Sequence, residues 1–530
     1  PSCSFGRKKE RNKMQIKILA TSDMHGYIMP TSYSEKKMDL PFGTAKAATM
    51  LKKLRASAKG PVFQIENGDF IQSSPLSYYV RKAETHSVAA ITKIINQMNY
   101  DVSILGNHEF NYGLDYLKET IASYQQPVLA ANILGKDGQP YFGQPYVIIE
   151  KQGVKVAILG VTTQYIPHWE QPATVKDLTF KSVVETAAEY VPKLREEADL
   201  VVVAYHGGFE KDLETGEPTE LLTGENEGYD LLEKVPGIDA LVTGHQHREI
   251  ATKLNGIPVI QPGFRGAFVG EITLEIEPMA KGYHVIGSDA AIHPVGNEQP
   301  DTEVLALTTA LHDEVEEWLD QPVGNVEGDM TIQNPNAVRL KEHPYIEFIN
   351  NVQMASSGTD ISGTALFNNE GKGFNNQITM RDIITNYIYP NTLAVLRVTG
   401  QDLREALEQS ATYFVLEKGQ PIFNPKYVDP KPQYYNYDMY EGIEYTLDLR
   451  QPFGERVTKL NYHGKAVQAE DVLEIVTNQY RAVGGGNYQM FQPEKIIREI
   501  QIDMTELIAE YLKKHPIIQA STNDNFKVIW

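Results

Sequence analysis

The chain has 530 residues, and its 49 Lys+Arg against 69 Asp+Glu give a formal net charge of −20 at pH 7. This acidic balance argues against binding to nucleic-acid polymers or anionic membranes, because both partners require a basic surface. The 42% hydrophobic and 22% charged residues are typical of globular proteins and exclude a disordered or fibrous chain. A membrane-spanning helix is excluded as well, since the sequence has no run of about 18 apolar residues. At roughly 150 residues per domain, the length predicts two to four domains.

The first thirteen residues are basic and lack the apolar segment of a signal peptide. We predict that residues 1–13 form a disordered leader and that Met14, directly before the first strand-like run, is the native start. This start favours the cytoplasm. The alternative is a protein whose signal peptide has been removed, which would be secreted or held at the cell surface. The single cysteine, Cys3, permits no internal disulfide.

Short β-branched runs alternate with helical stretches over the first 300 residues, a pattern typical of an α/β sheet layer. The runs predict strands at 16–20, 62–66, 101–105, 154–161, 200–205 and 239–243. Residues 301–320 carry apolar side chains at helical spacing with acids on the opposite face, which predicts a helix. We therefore predict a first domain over 14–300, a linker helix over 301–321 and a second domain over 322–530.

Polar residues able to bind metal follow five of the predicted strands, each beside a glycine. Because the carboxyl ends of strands share one edge of an open α/β sheet, we expect these residues to meet in one site. A single histidine after a strand is more often a helix cap or a satisfied core residue, but five such strand ends together favour a metal site. The candidate ligands are Asp23, His25, Asp69, Asn107, His206, His245 and His247.

Seven candidate ligands are too many for one tetrahedral ion, which indicates two ions. Asp, Asn and His side chains suit Mn²⁺, Zn²⁺, Fe²⁺ or Co²⁺ without selecting among them, and the shortage of thiolates argues against a structural zinc site. Two-metal sites need a bridging group, and Asp69, the candidate that follows the second strand by itself, is the natural bridge.

The order of the motifs Asp-x-His-Gly, Gly-Asp, Gly-Asn-His-Glu, His-Gly-Gly and Gly-His-x-His resembles the calcineurin-like metallophosphoesterase superfamily. With the linker helix and the second domain, the chain resembles the two-domain 5′-nucleotidase family, which includes the 2′,3′-cyclic-nucleotide 2′-phosphodiesterases. The resemblance implies an α/β fold in which an N-terminal αββα sandwich is joined by the linker helix to a smaller α+β C-terminal domain. It implies that one ion is held by Asp23, His25, Asp69 and His247, and the other by Asp69, Asn107, His206 and His245.

His108 directly follows a candidate ligand, and the resemblance implies that it stabilises transition-state charge or protonates the leaving oxygen. A histidine suits that task because imidazole side chains as a class titrate near neutrality. Many 5′-nucleotidases place an Asp three residues after this His, whereas this chain has Asn111, which can orient the ring but cannot hold its proton by charge. Many 5′-nucleotidases carry Gln where this chain has His247, and the family often has Asp where this chain has Gly486. All three departures resemble the cyclic-nucleotide phosphodiesterase and 3′-nucleotidase branch.

In the second domain, Tyr389 and Tyr480 resemble the two aromatic residues with which the family sandwiches the nucleobase. The resemblance adds Asn391 as a hydrogen-bonding companion and Gly485 as a substrate contact. Without the resemblance each tyrosine would be assigned to the core, because the chain has 29 of them.

Two further stretches of the second domain have a distinctive composition. Residues 421–440 are dense in Tyr, Pro and Asn, which predicts an ordered aromatic loop. Residues 368–374 lack the arginines that some 5′-nucleotidases carry in the corresponding loop.

The resemblance implies metal-dependent hydrolysis of small-molecule nucleotide phosphoesters without a covalent enzyme intermediate, most like a 2′,3′-cyclic-nucleotide 2′-phosphodiesterase/3′-nucleotidase. The sequence lacks the G-x-S-x-G elbow and the P-loop of other enzyme classes. The alternatives are a 5′-nucleotidase or nucleotide-sugar hydrolase on the same scaffold, and a nucleotide-binding protein without turnover. The oligomeric state is left open.

Overall fold

The computed structural model describes residues 12–220, 222–389, 391–500 and 502–530. Cys3 and most of the predicted leader lie outside the described residues. The chain forms two compact units. Of the described residues, the first comprises those up to Thr31 and those within Met38–Pro167 and Pro172–Ala310, and the second comprises those within Ser32–Lys37, His168–Gln171 and Leu311–Trp530. The helix predicted at 301–320 is found at Thr302–Leu319.

The first unit contains two six-stranded sheets. The strands of the first sheet lie in the order Tyr283–Pro294, Phe268–Pro278, Met14–Thr21, Val62–Glu66, Val102–Ile104 and Val128–Leu129. The strands of the second sheet lie in the order Glu249–Leu254, Ile257–Pro262, Ala240–Val242, Leu200–His206, Val154–Thr162 and Tyr146–Lys151. A separate short pair joins Ile133–Leu134 to Thr179–Phe180. All six predicted strands are present, with small differences at their ends.

The main core of the first unit lies between the two sheets. Ile18 of the first sheet and Val202 of the second belong to one buried apolar cluster. Side chains alternate along a strand, so Val203 packs on the other face, against the helix Val183–Glu197. The helix Thr44–Ser57 packs on the strand Phe268–Pro278 of the first sheet. Strands covered on both faces are continuous apolar runs, which is why the sequence pattern identified them.

The helices before residue 250 are short and begin at recognisable signals. Ser74 and Ser182 cap the helices that follow them by accepting hydrogen bonds from the backbone N–H groups of Ser77 and Glu185. These helices are Thr44–Ser57, Pro75–Lys82, Ala89–Gln97, Leu114–Ser123, Pro172–Val175, Val183–Glu197 and Gly228–Lys234, with 3₁₀ turns at His108–Phe110 and Ile166–His168.

The second unit is built around a five-stranded sheet in the order Asp438–Glu441, Ser362–Ala365, Val472–Asn478, Leu393–Thr399 and Ile496–Ile500. Smaller sheets join Gln377–Thr379, Pro322–Glu327 and Ile517–Gln519; Lys465–Ala466, Val457–Tyr462, Glu444–Asp448 and Phe526–Ile529; Met330–Thr331 and Gly373–Phe374; and Phe414–Glu417 and Gln420–Phe423. The helices are Pro335–Leu340, Pro344–Ser357, Met380–Asn386, Gly400–Ala411, Gln479–Ala482 and Met504–Lys514, with 3₁₀ turns at Pro425–Tyr427, Tyr434–Asn436 and Pro493–Lys495.

The aromatic stretch 421–440 is only partly a loop, which corrects the prediction. Its ends belong to the strands Gln420–Phe423 and Asp438–Glu441. Tyr437 and Tyr440 are buried in the core of the second unit. The Pro and Asn residues between the strands form the turns, whereas these two tyrosines fill the interior.

Over the described residues, no helix combines the length and the apolar character needed to cross a bilayer. The compartment inferred from Met14 stays a prediction.

Glu441 is a buried carboxyl at the end of the strand Asp438–Glu441. Its side chain is 4% exposed and accepts a hydrogen bond of 2.6 Å from Asn523 Nδ2. Burial raises the pKa of Glu441 to about 7, although the hydrogen bond from Asn523 opposes the rise. A carboxyl group whose pKa is higher in the folded chain than in the unfolded chain stabilises the fold at pH values below the pKa of the unfolded chain. That contribution is lost as the pH rises through the pKa of the folded chain.

We expect Glu441→Gln, which keeps an oxygen for Asn523, to be more stable than the wild type at alkaline pH. The gain should be about 1 to 2 kcal/mol at about pH 8.5 and should shrink toward about pH 5. Thermal unfolding of both proteins at the two pH values measures the difference. Glu455→Gln removes an exposed carboxylate as the matched control. A Glu441→Gln protein that is less stable than the wild type at about pH 8.5 would contradict the prediction.

Candidate active site

The seven predicted metal ligands lie at the carboxyl ends of strands in both sheets of the first unit. Asp23, His25, Asp69 and Asn107 follow strands of the first sheet, and His206, His245 and His247 end or follow strands of the second sheet. The structure brings these residues together, as expected, but at the edges of two sheets rather than at one edge of a single open sheet, which agrees with the αββα sandwich implied by the family resemblance. The site lies where the strand ends of two stacked sheets meet, because the sandwich brings both sets of loops together.

One group of donors consists of Asp23, His25 and His247, whose ligand atoms all lie within 4.8 Å of one another. The Nε2 atoms of His25 and His247 are 3.0 Å apart, and His247 Nε2 is 3.4 Å from Asp23 Oδ1. Asp23 is fully buried, and His25 is nearly so. A carboxylate and two imidazoles converging in this way match the donor set that borderline divalent ions prefer.

A second group consists of Asp69, His206 and His245, again with ligand atoms within 4.8 Å of one another. His206 Nε2 lies 3.0 Å from Asp69 Oδ2, and Asn107 Oδ1 lies 3.2 Å from His206 Nε2 and 2.9 Å from His245 Nδ1. The two groups are adjacent, since Asp23 Oδ1 is 3.9 Å from His206 Nε2. The residues present therefore fit two neighbouring divalent ions, while the bridging role of Asp69 stays a prediction.

The backbone of the ligand loops is held in an unusual conformation. Five of the seven candidates, Asp23, His25, Asp69, His245 and His247, have φ between 51° and 68°. This left-handed region is disfavoured for residues with a side chain and persists only where the surrounding structure imposes it. The glycines beside the ligands reflect the same crowding: a Cβ on Gly68 would lie 2.8 Å from His206 Nδ1, and one on Gly106 would collide with the Asp69 carboxylate.

The electrostatics of the site favour a positive charge at its centre. Burial alone would raise the pKa of Asp23, but His206 and His247 outweigh burial and hold it below its ordinary value. The pKa of Asp69 is lowered in the same way, mainly by His206 and His108, against the effect of burial. Burial would lower the pKa of His206, yet Asp69 and Asp23 raise it to about 10. Both carboxylates are therefore ionised at neutral pH, and their field is one that divalent cations would neutralise.

His108 begins the 3₁₀ turn after Asn107 and borders the ligand groups. Its ring centroid lies 5.3 Å from that of His25, and its backbone N–H donates to Asp69 Oδ1 at 2.8 Å. Its Nδ1 lies 2.6 Å from Asn111 Oδ1. Because an amide oxygen only accepts hydrogen bonds, this contact places the hydrogen on Nδ1 and orients the ring.

Glu109 is the last residue of the Gly-Asn-His-Glu motif, and the sequence alone predicted no role for it in the site. Its buried carboxylate accepts hydrogen bonds from the backbone N–H groups of Asp69, Phe70 and Gly106, at 2.6 to 2.8 Å. Glu109 therefore holds the Asp69 loop against the loop that carries Asn107.

Two other side chains in contact with the ligands were missed. Glu225 Oε1 lies 2.8 Å from His245 Nε2. The ring of Phe264 stacks on that of His247, with centroids 4.7 Å apart and planes 3° from parallel. Neither residue follows a predicted strand in a motif with glycine and histidine, so the sequence carried no signal for them.

In the second unit, Tyr389 and Tyr480 share a neighbour that sequence reasoning also missed. Tyr435 packs edge-on against both, with ring centroids 6.0 Å from Tyr389 and 6.3 Å from Tyr480. Asn391 Nδ2 lies 3.4 Å from the Tyr387 hydroxyl, and the intervening Pro390 is outside the described residues. The structure therefore brings the two predicted tyrosines to one aromatic group, in which Tyr435 is the third ring.

Arg481 connects the helix that carries Tyr480 to the turn that carries Tyr435. It is fully buried, and its Nε lies 2.7 Å from Asp438 Oδ2. Its guanidinium also donates to the carbonyl oxygens of Tyr435 and Gly485. Gly485 packs directly on the ring of Tyr480, where a Cβ would lie 2.5 Å from the nearest ring carbon. A side chain at this position would displace Tyr480.

Arg339 reaches the loop that was expected to lack arginines. It comes from the helix Pro335–Leu340, is fully buried, and donates to Asn369 Oδ1 at 2.8 Å and to the Leu366 carbonyl at 3.0 Å. Burial lowers its pKa to about 10. The sequence did not reveal this contact because Arg339 lies outside the loop.

Known proteins share both units of this chain. The family model for calcineurin-like phosphoesterases matches residues 16–249, and that for the C-terminal domain of 5′-nucleotidases matches residues 322–493. A 2′,3′-cyclic-nucleotide 2′-phosphodiesterase/3′-nucleotidase of Salmonella typhimurium is 30% identical over an alignment that covers 89% of this chain and 82% of that relative. The chain belongs to the 5′-nucleotidase family.

Two further proteins match nearly the whole length of this 5′-nucleotidase family member. A Staphylococcus aureus protein assigned to the 5′-nucleotidases, solved in complex with α-ketoglutarate, is 38% identical with a TM-score of 0.90 over 97% of this chain and 100% of that one. The trifunctional nucleotide phosphoesterase YfkN of Bacillus subtilis is 28% identical over 97% of this chain, which spans 39% of the length of that relative. The predicted family and fold class are confirmed.

The two matched segments contain the candidate residues. The phosphoesterase segment of this 5′-nucleotidase family member includes all seven candidate ligands together with His108 and Asn111. The C-terminal segment includes Tyr389, Asn391, Tyr480 and Gly485. The domain that carries the metal-ligand groups is that of a phosphoester hydrolase.

Proposed function

We propose that this protein hydrolyses nucleotide phosphoesters with two divalent ions, drawn from Mn²⁺, Zn²⁺, Fe²⁺ and Co²⁺, and that 2′,3′-cyclic nucleotides and 3′-nucleotides are its substrates. The observation that carries the proposal is the pair of adjacent donor groups with His108 beside them. The Salmonella relative named for the same two activities supports it.

The proposed roles follow from the chemistry of the side chains. Asp23, His25 and His247 would hold one ion, and Asp69, His206 and His245 the other, with Asn107 joining the second group. Two bound divalent ions would supply Lewis acidity and an activated water for attack on phosphorus. Because the Nδ1 of His108 is committed to Asn111, its Nε2 is the nitrogen that would carry a proton toward the leaving oxygen.

In the second unit, we assign the nucleobase to Tyr389 and Tyr480, with Tyr435 as a third aromatic contact. Stacking on an aromatic ring requires only the π-face of the base and contributes about 1 to 3 kcal/mol. Arg481 would hold the helix of Tyr480, and Gly485 would leave room for the Tyr480 ring, while the contact of Gly485 with the substrate stays a prediction.

The proposal of 2′,3′-cyclic nucleotides and 3′-nucleotides rather than 5′-nucleotides as substrates rests on three residues. Asn111, His247 and Gly486 all differ from the pattern of many 5′-nucleotidases. The second candidate is 5′-nucleotidase activity, which the match of the C-terminal domain and the Staphylococcus aureus relative favour.

Product analysis tests the proposal. The purified protein is incubated with 2′,3′-cyclic AMP, 3′-AMP, 5′-AMP and UDP-glucose, with added Mn²⁺ and again with chelator. We expect metal-dependent opening of the cyclic ester and phosphate release from 3′-AMP. Preference for 5′-AMP would agree with the proposed metal site but reject 2′,3′-cyclic nucleotides and 3′-nucleotides as the substrates. Inactivity on all four substrates in the presence of metal would reject hydrolysis of these nucleotides.

Tyr480→Ala should raise KM for the nucleotide by about 10-fold with little change in kcat. Stacking stabilises the bound substrate and the transition state alike, so its loss affects binding rather than the chemical step. Steady-state kinetics on the best substrate measure both constants. Tyr480→Phe keeps the ring and should behave as the wild type. A large fall in kcat at unchanged KM would contradict the assignment of Tyr480 to base binding.

A further inference from the structure

His245 presents its two ring nitrogens to different partners. Nδ1 lies 2.9 Å from Asn107 Oδ1, on the side of the second ligand group. Nε2 lies 2.8 Å from Glu225 Oε1. Glu225 is not a member of either ligand group. The ring therefore lies between the candidate metal position and a carboxylate outside it.

The loop that carries Glu225 is held by hydrogen bonds at this residue and at the two residues that follow it. The Glu225 carbonyl accepts a hydrogen bond of 2.6 Å from Thr163 Oγ1. Asn226 Oδ1 accepts one of 2.7 Å from the backbone N–H of Gly208, two residues after His206. The carboxylate of Glu227 accepts one of 2.9 Å from the N–H of Val183, at the start of a helix. These hydrogen bonds hold the backbone that places the Glu225 carboxylate next to His245.

An imidazole that binds a metal through one nitrogen carries hydrogen on the other. A carboxylate or carbonyl that accepts from this second nitrogen selects the tautomer, orients the ring and makes the ligand more basic. His206 has such an acceptor in the Asn67 carbonyl, 2.6 Å from its Nδ1. For His245 the corresponding acceptor is the carboxylate of Glu225. This acceptor carries a negative charge, whereas the Asn67 carbonyl does not.

We propose that Glu225 is a positioning residue for the second metal: it accepts a hydrogen bond from Nε2–H of His245 and thereby leaves Nδ1 of that ring to the ion. The inference rests on the proposed function, because it requires that the second group binds a metal. Glu225 does not touch the ion or the substrate in this role.

The test measures metal affinity without substrate. Metal-free wild type, Glu225→Ala and Glu225→Gln are titrated with Co²⁺ alone by calorimetry, and the visible absorption of the bound Co²⁺ is recorded. The wild type should bind two ions. Glu225→Ala should bind one of them about 10- to 100-fold more weakly and leave the other unchanged. Glu225→Gln keeps an oxygen that accepts from Nε2–H, so it should lose less affinity while altering the Co²⁺ spectrum. Glu214→Ala removes an exposed carboxylate before the same loop and is the matched control.

The outcomes separate this inference from the proposed function. A Glu225→Ala protein that binds two Co²⁺ ions with wild-type affinity would overturn the positioning role and leave the metal site intact. A wild type that binds neither Co²⁺, Mn²⁺ nor Zn²⁺ would overturn the proposed function and this inference with it. If Glu225→Ala fails to fold, Glu225→Gln decides, and a Co²⁺ spectrum identical to that of the wild type would reject the role of Glu225.

Discussion

Asp69→Asn is expected to lower kcat by about 10³-fold or more and to remove at least one metal ion from the protein. The carboxylate of Asp69 belongs to the second donor group, with Oδ2 3.0 Å from His206 Nε2, and it is predicted to bridge both ions. The amide of asparagine keeps an acceptor for the backbone N–H of His108 but lacks the negative charge that attracts the cations. Asparagine also tolerates the left-handed backbone at this position, where φ is 58°.

Metal content and turnover should be measured on the same sample of Asp69→Asn. Asp115→Asn, an exposed acid in the same unit, is the matched control and should retain both. An Asp69→Asn protein with two bound ions and normal turnover would reject the assignment of this residue as a ligand.

His108→Ala should lower kcat on nucleotides by about 10² to 10⁴-fold while the metal content stays that of the wild type. His108 is in neither donor group, and its Nδ1 is occupied by Asn111, so the ring is placed to act on the substrate rather than on the ions. A substrate with a nitrophenolate leaving group needs little protonation. The loss caused by His108→Ala should therefore be smaller with that substrate than with a nucleotide.

The comparison of the two substrates separates proton donation from other roles of His108. Equal losses on both would indicate that His108 stabilises charge on the phosphoryl group and does not protonate the leaving oxygen. Loss of metal from His108→Ala would show that the residue belongs to the ligand set. Asn111→Ala should cause a smaller loss than His108→Ala, because it removes only the hydrogen bond that orients the ring.

Local patterns in the sequence were sufficient for most of the fold and for a list of candidate metal ligands. Strands buried on both faces are continuous apolar runs, so they were located to within a few residues. The candidate ligands could be listed because they lie at or shortly after the ends of strands, in motifs that include a glycine. Glycines such as Gly68 and Gly106 leave room for the crowded side chains. Tyr389, Asn391, Tyr480 and Gly485 required a family resemblance, since a tyrosine or glycine carries no chemical signature of its own.

The amino-acid sequence by itself determined which residues are able to bind metal, because strand, glycine and ligand are neighbours along the chain. Only the tertiary structure decided which candidates each of the two sheets supplies, that Glu225 contacts His245, and that Tyr435 lies against both Tyr389 and Tyr480. The side-chain contacts of Glu225 and Tyr435 join residues 20 to 46 positions apart along the chain, a spacing that follows no helical or strand period. The physical reason is that such contacts depend on how whole sheets and loops pack, which no local pattern of residues records.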